Sequence, residues 1–92
     1  MLVHVHPRVA AKRPDIADDD TRAAFLGALR SRARDTDPVQ WVGVGVDTKG
    51  RLLEFIAIEE NGGDWLVFHA APATKGVLDE VGLGTRRQGR KR

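Results

Sequence analysis

Residues 40–70, QWVGVGVDTKGRLLEFIAIEENGGDWLVFHA, decide the fold of this chain. They contain three runs of apolar and β-branched residues separated by two turn signals, a pattern typical of strands joined by tight connections. The first turn, residues 47–50, ends in a glycine suited to the left-handed region. The second contains Asn61-Gly62, a pair that favours a type I′ turn because both positions need positive φ. The stretch therefore predicts an antiparallel meander with strands over residues 40–46, 51–59 and 64–70.

The segment before the meander predicts a strand and two helices. Residues 2–6 alternate as a short strand does, and a short helix is expected over residues 7–13, between two prolines. The acidic run at residues 15–20 suits a helix start, with Asp18 as the expected N-cap. Apolar residues then recur at three- and four-residue spacing, which predicts one helix from there to about residue 33.

The segment after the meander predicts one more helix, from Pro72 to about residue 81, with Gly82 as its stop. The predicted class is therefore α+β, an antiparallel β-sheet meander flanked by helices in the order β-α-α-β-β-β-α. We expect a single domain over residues 1–84. Residues 85–92 (TRRQGRKR) form a basic C-terminal tail that we expect to be disordered, because it has no apolar side chain to bury.

Composition and charge restrict the function classes. The chain has 92 residues and a formal net charge of +2, but the tail carries five positive charges, so residues 1–84 hold ten basic against thirteen acidic side chains. Without cysteine there is no thiolate nucleophile or disulfide, which suits the cytoplasm. No apolar run approaches the roughly 20 residues that span a bilayer, so no membrane association is expected. His4 and His6 share a strand face but have no obvious third ligand, and we predict neither a metal site nor a cofactor.

Glu54 and His69 form the candidate catalytic pair. A two-residue turn at Asn61-Gly62 pairs Glu60 with Gly63, and counting back along the hairpin places Glu54 opposite His69 on one face. A turn shifted by one residue along the chain leaves both on that face. A carboxylate beside an imidazole orients the ring, as a general acid or base requires. In the alternative, His69 bonds a backbone carbonyl and Glu54 pairs with an arginine.

Basic residues form the candidate nucleic-acid contacts. A cluster of alternate arginines ends the predicted second helix, where it could clamp phosphates or simply match the negative end of the helix dipole. The predicted nucleic-acid-binding residues are Lys12, Arg13, Arg30, Arg32 and Arg51.

Four short stretches resemble BrnT-like toxins of bacterial type II toxin–antitoxin systems, within the RelE-type toxin superfamily. They are residues 41–45 (WVGVG), 50–53 (GRLL), 65–70 (WLVFHA) and 73–75 (ATK), and the resemblance covers roughly residues 2–82. It implies a metal-independent endoribonuclease that is neutralised by a cognate antitoxin protein. The chain departs from the family where arginines usually precede the alanine-threonine step, since Ala71 and Pro72 stand there.

On this resemblance, RNA is cleaved by attack of a ribose 2′-hydroxyl on the adjacent phosphorus. His69 would act as base or acid, Glu54 would orient it, and Arg34 or Lys75 would stabilise the developing negative charge. The expected partners are the antitoxin and an RNA substrate, in a homo-oligomer or hetero-complex. The alternative is a non-enzymatic module that binds protein or nucleic acid, because two largely apolar sheet faces in so short a chain suggest a covering partner.

Overall fold

A computed structural model describes residues 1–84, and the predicted tail at residues 85–92 lies outside the described residues. The described chain is an α+β domain, as the sequence predicts. It contains three helices and five strands: β1 (Val3–Val5), α1 (Pro7–Lys12), α2 (Asp18–Leu26), β2 (Ala28–Ala33), β3 (Gln40–Val46), β4 (Leu52–Glu60), β5 (Asp64–Pro72) and α3 (Lys75–Glu80).

The strands form one mixed sheet in the order β1-β5-β4-β3-β2. The predicted antiparallel meander is present as β3, β4 and β5, but the expectation of a purely antiparallel sheet is wrong. The N-terminal strand β1 pairs parallel to β5, with Val3 beside Trp65. Parallel pairing needs a long crossover connection, and all the elements between β1 and β5 supply it here.

The predicted helix over residues 18–33 is also wrong in its second half. Helix α2 ends at Leu26, Gly27 is its C-cap, and the chain then forms β2 against the edge of β3. A Cβ at Gly45 would lie 2.0 Å from the carbonyl oxygen of Ala24, so glycine there lets the end of α2 lie directly on β3. The predicted N-cap is displaced by one residue, to Ala17. Backbone pairing with an open strand edge has overridden a helical side-chain pattern.

The two faces of the sheet are covered by different helices. On the α2 face, buried Leu53 packs with Ile16 and Ala24, and Phe55 packs with Phe25 and its neighbours. On the α3 face, Val42, Val44 and Val81 form a second cluster, which Ile56, Val77 and Leu78 extend.

The turn between β4 and β5 has one residue more than predicted. Asn61 and Gly62 have positive φ, and the amide of Gly63 donates to the carbonyl of Glu60 at 3.3 Å, as in a type I′ turn. The ladder resumes only at Glu60 opposite Asp64, which leaves Gly63 as an extra loop residue. This one-residue shift turns Trp65 and Val67 towards the α2 face, the face opposite to the predicted one.

A bulge in β5 then reverses the shift. Ala57 pairs with Val67, but its neighbour Ile56 pairs with His69, so Phe68 is the additional residue. The bulge returns His69 to the face that carries Glu54, diagonally across the hairpin. The predicted register is therefore wrong, whereas the predicted shared face is confirmed, because two one-residue shifts cancel.

The last helix begins later than predicted. Pro72 is the final residue of β5, and α3 starts at Lys75 behind the N-cap Thr74. Gly82 has φ of 83° and follows the helix end, which confirms its role as the stop. None of the helices in residues 1–84 is long and apolar enough to cross a membrane.

Candidate functional site

Glu54 and His69 are in direct contact across β4 and β5. Nε2 of His69 lies 2.8 Å from Oε2 of Glu54. The carboxylate side chain is only 7% exposed, whereas the imidazole is 38% exposed. The predicted proximity of the two residues is confirmed, and any catalytic role of the pair stays a prediction. A buried carboxylate thus holds an imidazole that is open to solvent.

Thr74 holds the other oxygen of the carboxylate. Its backbone N–H and its hydroxyl donate to Oε1 of Glu54 at 2.8 and 2.7 Å. Burial alone would raise the pKa of Glu54, but the hydrogen bonds from Thr74 and His69 outweigh it and lower that pKa below its ordinary value. The carboxylate is therefore ionised near neutral pH, with Oε2 left for the imidazole.

The ionised carboxylate fixes the tautomer of a neutral His69. A carboxylate only accepts hydrogen bonds, so Nε2 must carry the proton that it donates to Glu54. Nδ1 then has a free lone pair and is the atom that could accept a proton from a bound molecule.

His69 opens into a pocket of about 280 Å³ between α1 and the C-terminal half of β5. Three basic residues of α1 and its C-cap line this pocket, namely Arg8, Lys12 and Arg13. The guanidinium of Arg13 contacts Asp15 at 3.2 Å, and its buried Nε has no hydrogen-bond partner in the described chain. Arg8 and Lys12 have no carboxylate within salt-bridge distance among residues 1–84. An anionic group in the pocket would lie beside two cations without a salt bridge, Arg8 and Lys12, a third that is shared with Asp15, and an imidazole.

The predicted charge stabilisers, Arg34 and Lys75, are held by carboxylates. Nε and a terminal nitrogen of Arg34 contact the two oxygens of Glu80 at 2.8 and 2.9 Å. Lys75 contacts Asp79 at 3.0 Å, one helical turn away. Neither residue lines the pocket beside His69. The structure thus brings together two of the four predicted catalytic residues.

The five predicted nucleic-acid-binding residues divide into three groups. Lys12 and Arg13 line the pocket beside His69. Arg30 and Arg32 lie in β2 at the far edge of the sheet, in a strand whose six residues are all exposed. Arg51 is held by carboxylates, with its Nε 2.6 Å from Asp47.

Asp20, which the sequence analysis treated only as part of a helix start, is the centre of a second buried carboxylate cluster. Its side chain is 1% exposed and accepts from the Lys49 ammonium at 2.8 Å and from the Arg51 guanidinium at 3.3 Å. The hydroxyl of Thr48 and the backbone N–H of Ala17 also donate to it. Hydrogen bonds from Lys49 and Thr48 hold the pKa of Asp20 well below its usual range.

Two site residues, Arg8 and Thr74, were absent from the sequence-based candidates. Thr74 precedes the short helix α3, and its hydroxyl accepts from the N–H of Val77, so the N-cap pattern could have drawn attention to it. No pattern in the sequence could have placed α1 beside β5, because that packing depends on the parallel pairing of β1.

Comparison with known proteins gives no relative. No protein-family model matches the chain, and no curated protein or solved structure is significantly similar to it. Within residues 1–84, no three histidine, aspartate or glutamate side chains are placed to hold a metal ion.

Proposed function

We propose that this protein is a metal-independent endoribonuclease, the toxin of a bacterial toxin–antitoxin pair, which cleaves RNA in the pocket beside His69. The observation that carries the proposal is the 2.8 Å contact between His69 and Glu54 at a pocket lined by three cations. Acid–base and electrostatic groups are what phosphodiester transfer requires of a protein. The resemblance to BrnT-like toxins supports the same class of reaction.

The reaction begins with proton transfer to His69. Nδ1 of the imidazole removes the proton of a ribose 2′-hydroxyl, while Glu54 stabilises the imidazolium that forms. The 2′-oxygen attacks the adjacent phosphorus, and the bond from phosphorus to the 5′-oxygen breaks. Water protonates the leaving oxygen, and His69 later returns its proton to solvent. The products are a 2′,3′-cyclic phosphate and a 5′-hydroxyl.

The cations of α1 stabilise the extra negative charge of the transition state. Arg8, Lys12 and Arg13 line the same pocket as His69, so in this proposal they take the role that the sequence assigned to Arg34 and Lys75. Arginine suits the non-bridging phosphate oxygens because its planar fork donates two parallel hydrogen bonds. Removing one such group typically costs about 100- to 1000-fold in rate.

The proposal is tested with the purified chain and an end-labelled single-stranded RNA, in an excess of chelator. We expect cleavage that leaves a 2′,3′-cyclic phosphate. We expect no cleavage after a nucleotide whose ribose is replaced by 2′-deoxyribose. Cleavage that survives the 2′-deoxy substitution, or that the chelator abolishes, would contradict the mechanism. Binding without cleavage would favour the non-enzymatic module.

Two variants compare the two sets of cations. Lys12→Ala removes a pocket cation, whereas Lys75→Ala removes an 87% exposed ammonium bound to Asp79. We expect Lys12→Ala to lower the cleavage rate more than Lys75→Ala. The reverse order would return the charge stabiliser to α3. A neighbouring gene for a small DNA-binding protein would independently support the antitoxin part of the proposal.

A further inference from the structure

A second pocket lies between α2 and β2. It has a volume of about 210 Å³, and it is lined by Phe25, Ala28, Ser31, Trp41, Phe55 and Trp65. The aromatic rings pack edge to face, with the two tryptophan centroids 6.2 Å apart. Ala28 and Ser31 are small residues on the β2 side of this pocket, and Gly43, opposite Ser31, makes room for the ring of Phe55.

Strand β2 forms the open edge of the sheet beside this pocket. All six of its residues are exposed, and β3 is its only strand neighbour among residues 1–84. The N–H of Arg34 donates to the carbonyl of Gln40 at 2.7 Å, and hydrogen-bonded positions alternate along an antiparallel pair. The backbone N–H and C=O groups of Ser31 and Ala33 therefore point away from β3, towards a strand that this chain does not supply.

The two faces of β2 have opposite chemistry. Ser31 and Ala33 lie on the α2 face, next to the aromatic pocket, whereas Arg30 and Arg32 lie on the α3 face opposite Val44 and Val42. A strand added at this edge would alternate in the same way, so its residues would meet arginines on one face and the pocket on the other.

Neither arginine forms a salt bridge within residues 1–84, although Arg32 lies near the carboxylate of Glu80. Glu80 pairs with Arg34, and Arg32 reaches only the backbone carbonyl of Glu80, at 3.5 Å. Arg30 has no carboxylate within salt-bridge distance in residues 1–84. The arginines disfavour a second copy of the chain, because antiparallel pairing of two β2 strands about Ser31 places Arg30 opposite Arg32. Shifting that pairing by two residues again places arginine opposite arginine, and directly opposed like charges destabilise a sheet.

We propose that β2 accepts an extended peptide segment of a partner protein, in which acidic and apolar residues alternate. The backbone of the segment pairs with the outer groups of Ser31 and Ala33. Its acidic side chains lie against Arg30 and Arg32, and an apolar side chain enters the aromatic pocket. This is strand addition with a side-chain anchor, a recurring mode of peptide recognition. It does not depend on the proposed cleavage, because His69 lies in a different pocket.

The two tryptophans of the chain both line this pocket, so their fluorescence reports its occupation. The probe is a blocked eight-residue peptide of alternating glutamate and valine, titrated into the full chain. The control peptide has lysine in place of glutamate. We expect a saturable change in emission with the glutamate peptide, and binding at least about tenfold weaker with the lysine peptide.

A charge-reversed variant makes the test specific. In the double variant Arg30→Glu and Arg32→Glu, both changes are at exposed positions, and circular dichroism checks the fold. We expect it to prefer the lysine peptide. Ser31→Leu fills the pocket, so it should weaken binding of the glutamate peptide without making the chain prefer the lysine peptide. If the double variant does not fold, the single variant Arg32→Gln must still bind the glutamate peptide more weakly than the unchanged chain.

Three outcomes would overturn the proposal. One is equal binding of the two peptides, which would make the pocket a general apolar site. Another is a larger emission change with a single-stranded RNA than with the glutamate peptide, which would make the pocket a platform for base stacking. The third is a dimer in sedimentation whose edge excludes the peptide, which would make a second copy the occupant.

Discussion

Two buried carboxylates, Asp20 and Glu54, lie in different parts of the molecule and are used differently. Asp20 is 1% exposed and Glu54 is 6% exposed, and the pKa of each is held below its ordinary value. The partners of Asp20 are a lysine, an arginine, a hydroxyl and an amide. The hydrogen-bond partners of Glu54 are Thr74 and the imidazole of His69. Only Glu54 bonds an imidazole, and that ring lines a pocket.

The difference in partners indicates that Asp20 stabilises the fold, whereas Glu54 belongs to a candidate reactive group. We call the Asp20 cluster a structural tie because it connects separate elements. The Asp20 cluster joins the start of α2 to the turn between β3 and β4, through Thr48, Lys49 and Arg51. Permanent cations around a carboxylate stabilise one arrangement and leave no group free to exchange protons. The contact between Glu54 and His69 leaves one ring nitrogen free. Depressed carboxylate pKa values alone therefore do not identify the site, and the identity of the partner does.

The largest effect on stability is expected from Asp20→Ala. Removing the carboxylate leaves Lys49 and Arg51 without their shared partner and removes the acceptor for the amide of Ala17. We expect the melting temperature to fall by roughly 10–20 °C, as for loss of one member of a buried ion pair in a small domain. Asp19→Ala is the matched control, because the side chain of Asp19 is 88% exposed. This substitution should change the melting temperature by only a few degrees. Equal losses would mean that the cluster is not a structural tie.

Acid should weaken the fold through the same carboxylates. A carboxyl group whose pKa is lowered by folding contributes its full stability above the unfolded value, about 4, and loses it as pH falls through the folded value. Asp20, Asp47 and Glu54 all have lowered pKa values. The free energy of unfolding should therefore decrease progressively below about pH 4, and Asp20→Asn should flatten this decrease more than Glu54→Gln. Denaturant titrations at several pH values measure the free energy of unfolding. An equal decrease with falling pH in Asp20→Asn and Glu54→Gln would contradict the larger contribution expected of Asp20.

A smaller loss is expected from Gly45→Ala, which tests the close approach of α2 to β3 near the Asp20 cluster. The added Cβ would lie 2.0 Å from the carbonyl oxygen of Ala24, so the helix must move. Overpacking of this kind costs about 1–3 kcal/mol. Gly76→Ala is the control, because a Cβ there meets no atom within 4 Å and alanine suits a helix. Chemical denaturation should show a lower free energy of unfolding for Gly45→Ala and no decrease for Gly76→Ala. A Gly45→Ala variant as stable as the unchanged chain would refute the tight contact.

Glu54→Gln should lower the free energy of unfolding by about 1–2 kcal/mol, less than Asp20→Ala or Gly45→Ala. The amide keeps the shape of the side chain but loses the charge in its hydrogen bonds to His69 and Thr74. A change in the ring tautomer of His69 in this variant, observed by NMR of the ring nitrogens, would show that the carboxylate orients the imidazole. An unchanged tautomer would reduce the pair to a packing contact.

The sequence predicted those parts of the fold that depend on local signals. The meander follows from its apolar runs and turn signals, and the turn at Gly50 and the stop at Gly82 follow from a residue type that suits positive φ; the structure confirms all three. The second half of the helix predicted over residues 18–33 is wrong, because this arginine-rich segment instead pairs as β2 with the edge of β3. Such pairing between distant segments has no local signature.

The candidate site was predicted in part, and for an incomplete reason. The shared face of Glu54 and His69 was expected from a two-residue turn, whereas the structure has a longer loop and a compensating bulge at Phe68. The roles predicted for Arg34 and Lys75 stay predictions, but each residue pairs with a carboxylate of α3, and the pairing of Arg34 joins distant parts of the chain. Arg8 and Lys12 reach the pocket through packing between elements, which a single sequence does not reveal.

The most direct test of the central claim is the rate of RNA cleavage by His69→Gln at pH 7, in single-turnover conditions with excess chelator. His69 is 38% exposed, so the variant should keep the fold, which the melting temperature checks. Removing a general base typically lowers the rate by about 100- to 10,000-fold, and we predict a loss in this range with RNA binding largely retained. A folded His69→Gln variant that cleaves RNA as fast as the unchanged protein would contradict the assignment of the site.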